Sequence, residues 1–570
     1  MKRRLWIILI VAMVLGMAPA SGLAKNITFT TISTGYQNSF AIKKDGSLWA
    51  WGDNSLGQLG DGTTTIQDDR GTTVENNDKS SPVKIMDNVA SISAKWFHSL
   101  AIKTDSSLWV WGFNEFGQLG DGSTSSRNIP VKIMSDVAFA YAGYVNSFVI
   151  KTDGSLWGWG YNAFGQLGDG TTDDRNTPVK IMDDVTYVTD AVSTYGPGHV
   201  FAIKKDGSLW GWGYQYVGDG ASIARRSPVK IMDKVADIAV TDSSCFALKT
   251  DSSLWAWGYN SYGTLGDGTT EDVRLTPVKV MDNVVFVQVT DYQSFAVKAD
   301  GSLWGWGWNE YGQLGDGTTE KERRKPVKIM DNVSFFAAGY SCKLAIKTDG
   351  SLWAWGDTLY VQPEDKASVK SGIPVKIMEN VVYAISGGDT SNHCFAVKTD
   401  GSLWGWGWND HGQVGYGPKN WADVIDIHKP TRIMDNIKLP DDITAQIPIS
   451  NPNKDIIQVI LNGQSLTFDQ PPILDNGRTL VPLRVIFEAL GTKVDWDQAM
   501  QTVTATKDEV KITMQIGNSI MVRNGNNITL DVPPKFLNGR TLVPLRAVAE
   551  AFDAEVGWDG INRTVTIMTK

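Results

Sequence analysis

The sequence predicts a mainly β fold, a seven- or eight-bladed β-propeller followed by a small duplicated α+β domain. Three observations carry this. The string Leu-Trp-x-Trp-Gly recurs eight times, with its Leu at 48, 108, 156, 209, 254, 303, 352 and 403, so the spacing is 45 to 60 residues. A period of that size marks repeated supersecondary units. Each copy is preceded by a segment like SFAIK and followed by one like PVKIM, and with one more apolar run upstream this makes four short strands per unit. Four strands repeated radially is the arithmetic of a propeller. After residue 436 the pattern stops, and beyond it a different string, NGRTLVPLR, occurs at 476–484 and again at 538–546.

Within each unit the tryptophans alternate with small or β-branched residues. The pairs are Trp49 and Trp51, Trp109 and Trp111, Trp157 and Trp159, Trp210 and Trp212, Trp255 and Trp257, Trp304 and Trp306, Trp353 and Trp355, and Trp404 and Trp406. A period of two sends both indoles of a pair to one face of a strand buried on both sides. The intervening residue (Ala50, Val110, Gly158, Gly211, Ala256, Gly305, Ala354, Gly405) leaves room for a close neighbour. Asp-Gly, as at Asp45-Gly46 and Asp153-Gly154, favours a tight hairpin with positive φ. Ser replaces Gly after Asp105 and Asp251, which weakens that turn.

These residues, above all WGxNxxGQLG, resemble the regulator of chromosome condensation repeat over residues 27 to 434. Members of that family are usually seven-bladed propellers, whereas eight complete units are counted here, ending near Met86, Met134, Met182, Met232, Met281, Met330, Met378 and Met434. The propeller is therefore placed at 27–436 and a Pro- and Asp-containing linker at 437–454.

The chain opens with Lys2, Arg3 and Arg4, then an apolar run from Leu5 to Met17, then small residues to Ala20 or Ala24. This reads as a secretory signal peptide over 1–24, with a secreted or cell-surface product and no transmembrane helix in the mature chain. A hydrophobic content of 42% and a charged content of 20% in 570 residues fit a globular chain with two or more cores. The net charge of −9 argues against nucleic acid. Cys245, Cys342 and Cys394 belong to three different units, so they are expected to stand apart as small buried thiols.

Two groups of residues are candidates for binding. The first follows each Trp-Gly: Phe113, Tyr161, Tyr214, Tyr259, Trp308 and Trp408, with Asp at 53 and 357. Equivalent positions would form a circle at one rim, either packing blade on blade or offering rings to a sugar or protein. The second is an irregular sector of three loops, 63–81, 357–373 and 416–429, the last carrying Trp421, Asp423 and His428. If the ring closes, these loops are neighbours, and varied loops on a constant scaffold are where binding is placed.

Catalytic signatures are missing. His98, His199 and His393 share one repeat position in separate units, where a hydrogen-bonded structural role is expected, and His411 and His428 have no Cys or Glu pair at metal spacing. Gly158-Trp159-Gly160 leads to Ala163 where a dinucleotide motif needs Gly. One Asp per Gly-Asp-Gly turn is too few oxygens for calcium. No metal, no cofactor and no enzymatic activity are expected.

The second domain, 455–570, is duplicated at an offset of 62, with half-repeats at 455–508 and 509–570. Each half reads as strands around one helix that begins at Pro482 or Pro544, where proline costs no hydrogen bond. NGRTLVPLR, EALG and VDWD resemble the copper amine oxidase N-terminal-like, or stalk, domain of exported bacterial proteins. Residues 455–570 hold no His and no Cys, so copper chemistry is not implied. Contact with the cell envelope, with possible cell-wall association, is.

The expectation is an exported bacterial binding or adhesion protein whose rim loops recognise an extracellular protein or an envelope polysaccharide. Resemblance to secreted propellers, one of which inhibits β-lactamase, favours protein. Guanine-nucleotide exchange, the activity of the family's namesake, and hydrolysis or lysis of cell-wall glycan are the alternatives from other classes.

Overall fold

The computed structural model describes residues 31–67, 73–191, 198–339, 342–356, 371–387, 393–417, 426–439 and 457–466, and 468–569 apart from 469–471, 476–477, 499, 538–539 and 560–563. The expected signal peptide, Trp421 and Asp423 lie outside these residues, as do most of the irregular loops. The chain divides into two compact units, residues 1–447 and 448–570.

In the first unit the described residues form eight four-stranded antiparallel sheets, each built from consecutive strands, with one additional two-stranded ribbon, Ile66–Gln67 with Thr73–Glu75, in the first insert. Blade 1 starts at Ile32 and ends at Met86, and blade 8 runs from Val381 to Met434. The count of eight therefore holds. First strands of successive blades touch one another, so they line the axis, and the PVKIM strands, half-buried to exposed along their length, lie at the periphery.

The ring is closed. Trp51 of blade 1 donates its indole N–H to the Gln413 carbonyl of blade 8 at 2.9 Å. Trp111, Trp159 and Trp212 reach Gln58, Gln118 and Gln166 of the preceding blade at 2.8–2.9 Å in the same way. Lys438 N donates to Ile42 O at 2.9 Å, and Ile437 is fully buried against the first blade. Residues 437–439, expected to begin the linker, therefore belong to the propeller.

Each member of a tryptophan pair has its own job, although both face the preceding blade. The second is wholly buried in the junction, and a glycine accommodates it: a Cβ on Gly168 would lie 2.6 Å from the Trp212 indole nitrogen. The first is half-buried, donates to the serine two residues before it (Trp157 to Ser155 Oγ, 2.9 Å), and is covered by the lysine of the AIK segment (Lys151, 5.5 Å from the ring). Those lysines are engaged in cation–π contacts instead of facing solvent freely. The residue between the indoles is small because a large one lies across the strand pair: Phe148 opposes Gly158, whereas Leu100 opposes Val110.

The Asp-Gly hairpin differs from the two-residue turn expected. Gly46 has φ +80 and donates to Lys43 O at 2.9 Å, while Asp45 is absent from the left-handed region and its carboxylate accepts from Ser47 N and Oγ. This is a type I turn closed by a left-handed glycine bulge, the three-residue alternative. Ser106 and Ser252 occupy that bulge with φ 61 and 66, where a Cβ is unfavourable. Ser106→Gly and Ser252→Gly should each raise stability by about 0.5–1 kcal/mol, read as a shift in urea midpoint.

In the second unit, helices span Leu483–Ala489 and Leu545–Ala551, each directly after the expected proline. Gly491, with φ +73, follows the first and terminates it. The two half-repeats interlock. Leu480, Val481 and Pro482 pair with Pro544, Val543 and Leu542, and the Gln458–Leu461 strand pairs in parallel with residues 564–567. They share one apolar core that includes Val459, Phe487, Val548 and Ile567.

Candidate binding surface

The residues after Trp-Gly stand at one rim because Gly52 and its equivalents turn the chain with φ near +100. A Cβ at Gly160 would lie 2.5 Å from Val145 O, so only glycine permits this exit from the strand. The asparagine that follows is buried and knots the loop: Asn162 Oδ1 accepts from Leu167 N at 2.9 Å, and its Nδ2 donates to Asp169 at 3.2 Å. Asp169 in turn binds Arg175 at 2.7 Å, and Asp121, Asp219, Asp267 and Asp316 pair with Arg127, Arg225, Arg274 and Arg323. These carboxylates are held below the usual range at 121, 169, 267 and 316 despite their burial, by hydrogen bonds from the following Ser or Thr and by the arginine.

The aromatic residues of the rim form two arcs. Phe113, Phe116, Tyr161, Phe164 and Tyr214 meet in sequence at centroid distances of 5.2–6.3 Å, so in blades 2 to 4 the rings join one blade to the next. All five are half-buried. In blades 5 and 6 the rings open outward. Tyr262, Tyr292 and Tyr311 are 38–47% exposed around the half-buried Trp308, which lies 5.4–5.9 Å from them, and Tyr259, 38% exposed, meets Tyr216. Trp408 is half-buried, and His428 is exposed on the outer strand of blade 8.

Tyr262 has φ 61, and Tyr216 and Trp96 share this left-handed state at φ 64 and 54. Bulky residues rarely adopt it, and each costs on the order of 1–2 kcal/mol. All three carry rings of this rim. Tyr216 meets Tyr259 at 4.8 Å, and Trp96 stacks on Tyr144 at 3.9 Å. Sequence spacing singled out the position after Trp-Gly but missed Trp96, Tyr262, Tyr292 and Tyr311; the Asn-Ser-Tyr-Gly run at 260–263 was the available signal.

Cys342 and Cys394, expected to stand apart, are neighbours, because the first position of one blade's second strand faces the second position of the next blade's. Ser386 Oγ touches Cys342 O at 3.2 Å and Cys394 Sγ at 3.6 Å, and both thiols are free. Their mutual hydrogen bond, with burial, pushes the Cys342 thiol well above its usual value. The same register explains the histidines: His98 meets Ser147 Oγ at 3.0 Å, His199 meets Cys245 Sγ at 3.3 Å, and His393 meets Ser39 Oγ at 3.0 Å. Burial lowers them to about 4, 4 and 3, so they are neutral imidazoles in the folded chain.

At the closing seam, His411 Nδ1 lies 3.0 Å from Asp78 Oδ2, and Asp53 is close by. The Asp78 hydrogen bond, helped by the charge of Asp53, raises the His411 imidazole above its ordinary value; burial, with Asp78 beside it, raises the Asp53 carboxyl. In the second unit a cleft of about 410 Å³ is lined by Arg478, Arg523, Arg546, Met521 and Leu545. Asp531 and Asp553 neutralise the first two arginines.

Eight closed four-stranded blades with an aromatic rim define a β-propeller. Residues 45–102, 105–145 and 153–203 match the regulator of chromosome condensation (RCC1) repeat, residues 185–447 the RCC1-like domain, and residues 460–567 the copper amine oxidase N-terminal domain. The chain belongs to the RCC1-repeat proteins and carries a copper amine oxidase N-terminal domain after the repeats. It is similar to the ultraviolet-B receptor UVR8 of Arabidopsis thaliana, 32% identical over 108 residues, which are 18% of this chain and 22% of that protein. It is 34% identical over 109 residues to a protease inhibitor of Brevibacillus choshinensis, 19% of this chain and 32% of that protein. The chain thus spans at most a third of these relatives. Among solved structures it is similar to yeast RCC1 bound to Kap60, at 19% identity and a TM-score of 0.47, covering 76% of this chain and 97% of that one.

Proposed function

We propose that this is an exported binding protein that recognises another protein through the aromatic rim of blades 5 and 6, with the C-terminal domain as an envelope-contact or spacer module. The observation that carries this is the cluster of Tyr262, Tyr292 and Tyr311 around Trp308, exposed and held in part by a left-handed Tyr262, with the exposed Tyr259 beside Tyr216 on the same rim. Rings with a polar tip, rigid and grouped, are the residues that dominate binding energy at protein interfaces. A strained backbone that presents such a ring costs stability without aiding the fold, which points to use at the surface. The likeness to a protease inhibitor supports protein over polysaccharide as the partner, and the basic and apolar N-terminal segment supports export.

The test is binding of the purified chain to a panel of extracellular proteases and envelope proteins, with a set of glycans in parallel. Tyr262→Ala and Tyr311→Ala should each weaken the partner found by about 10–100-fold while leaving the urea midpoint within about 1 kcal/mol of the parent. Binding that both variants retain, or selective binding of a glycan, would refute the reading.

A further inference from the structure

From blade 2 to blade 6 a blade meets the next at this rim by ring on ring, as Phe116 on Tyr161 at 5.2 Å and Phe164 on Tyr214 at 5.5 Å. Where blade 8 meets blade 1, both partners change together. His411 stands at the place of Phe116 and Asp53 at the place of Tyr161, and the insert of blade 1 adds Asp78. One donor atom from each of the three lies within 4.8 Å of the others.

We propose that Asp53, Asp78 and His411 bind a divalent transition-metal ion, Zn²⁺ by the character of the donors, and that the ion fastens the last blade to the first. One imidazole nitrogen and two carboxylate oxygens form a borderline set suited to zinc, which takes such donors at about 2.0–2.2 Å and so spaces them roughly 3.5 Å apart. His411 Nδ1 and Asp78 Oδ2, at 3.0 Å, are already near that spacing. The site is dry on two sides and open on one: the side chain of Asp78 is 5% exposed and Asp53 is 4% exposed, whereas His411 is 36% exposed, which leaves a route for the ion and for water as a fourth ligand.

Charge and support both favour a cation. Two buried carboxylates face one another here, and a dication balances them with the imidazole neutral. The carboxylates are also held in place from behind: Gln58 Nε2 donates to Asp53 Oδ2 at 2.7 Å, and Asn54 N donates to Asp78 Oδ1 at 2.9 Å. Outer hydrogen bonds of this kind fix ligand orientation in metal sites.

The full chain, prepared without a histidine tag and treated with chelator, is titrated with ZnCl₂ by calorimetry, and its thermal transition is followed with and without the ion. One equivalent should bind and raise the transition temperature. His411→Phe, which installs the residue of blades 2 and 3, and Asp53→Asn should remove that equivalent or weaken it at least about 100-fold. Cys342→Ser with Cys394→Ser, which removes the neighbouring thiols as an alternative zinc site, should retain it. Far-UV dichroism of His411→Phe checks that the ring still forms. No zinc uptake by the parent chain would overturn the proposal. Uptake unchanged in His411→Phe and Asp53→Asn, or lost only with the cysteines, would overturn it too.

Discussion

Replacing His98, His199 and His393 together with asparagine should flatten the acid side of the stability profile. Each imidazole is neutral and buried when folded, with its pKa lowered to about 4, 4 and 3, and returns to about 6.5 on unfolding. The unfolded chain thus takes up protons that the folded one refuses. The stabilisation is complete above pH 6.5 and is lost as pH falls through that value towards 4, and towards 3 for His393. At pH 5 the cost is about 2 kcal/mol per histidine, or about 6 kcal/mol for three, a large share of an ordinary folding free energy. Asn38 and Asn146 hold the same place in blades 1 and 3, so the substitution suits the strand. Urea midpoints at pH 7.5 and 5.0 decide it. The parent should lose far more stability between the two than the triple variant, and equal losses would show that the imidazoles are not the source. The turn aspartates titrate in both proteins and cancel in the comparison.

The second large effect is at the ring's closure. Trp51→Ala should destabilise by about 3–5 kcal/mol, whereas Trp49→Ala should cost about 1–2 kcal/mol. Trp51 is wholly buried, packs edge-on to Phe395 of blade 8 at 5.8 Å and donates to Gln413 O, so its loss leaves a cavity at the seam and removes one of the two hydrogen bonds to that carbonyl, Ser39 Oγ keeping the other at 2.8 Å. Trp49 is half-buried, bonded to Ser47 within its own blade and covered by Lys43. Chemical denaturation gives the energies. Limited proteolysis should cut Trp51→Ala, and not Trp49→Ala, faster than the parent; comparable costs for the two would mean that junction packing does not decide stability here.

The strands, the repeat count and the starts of both C-terminal helices were legible because their causes are local: alternation, turn residues and a proline at the first helical turn. What one blade does to the next was not. Nothing near Trp159 in sequence names the Gln118 carbonyl it reaches, and His411 and Asp78 are 333 residues apart. Repeat symmetry even misled. It implied that equivalent positions in different blades are distant, which is true of His98 and His393, yet it hid the offset by which Cys342 of one blade faces Cys394 of the next. Blade 4 departs from the pattern as well: its Tyr214 to Gly218 loop is shortened, and the Trp257 indole N–H of the next blade has no partner. The rim was half legible: the position after Trp-Gly follows from the motif, but which rings face outward depends on how neighbouring loops pack.

Every blade of this ring is assembled from its own stretch of chain, and blade 8 grips blade 1 with the same indole-to-carbonyl contact used between blades 1 and 2. Among the described residues no full strand crosses the gap; only Ile437 and Lys438, just past blade 8, pair back onto Lys43 and Ile42 of blade 1. The number of blades is thus a matter of curvature, the angle at which one sheet leans on another, summed until the circle is complete. A gene that gained or lost one 50-residue module would meet no mismatched half-sheet at its ends, only a slightly different lean at each junction.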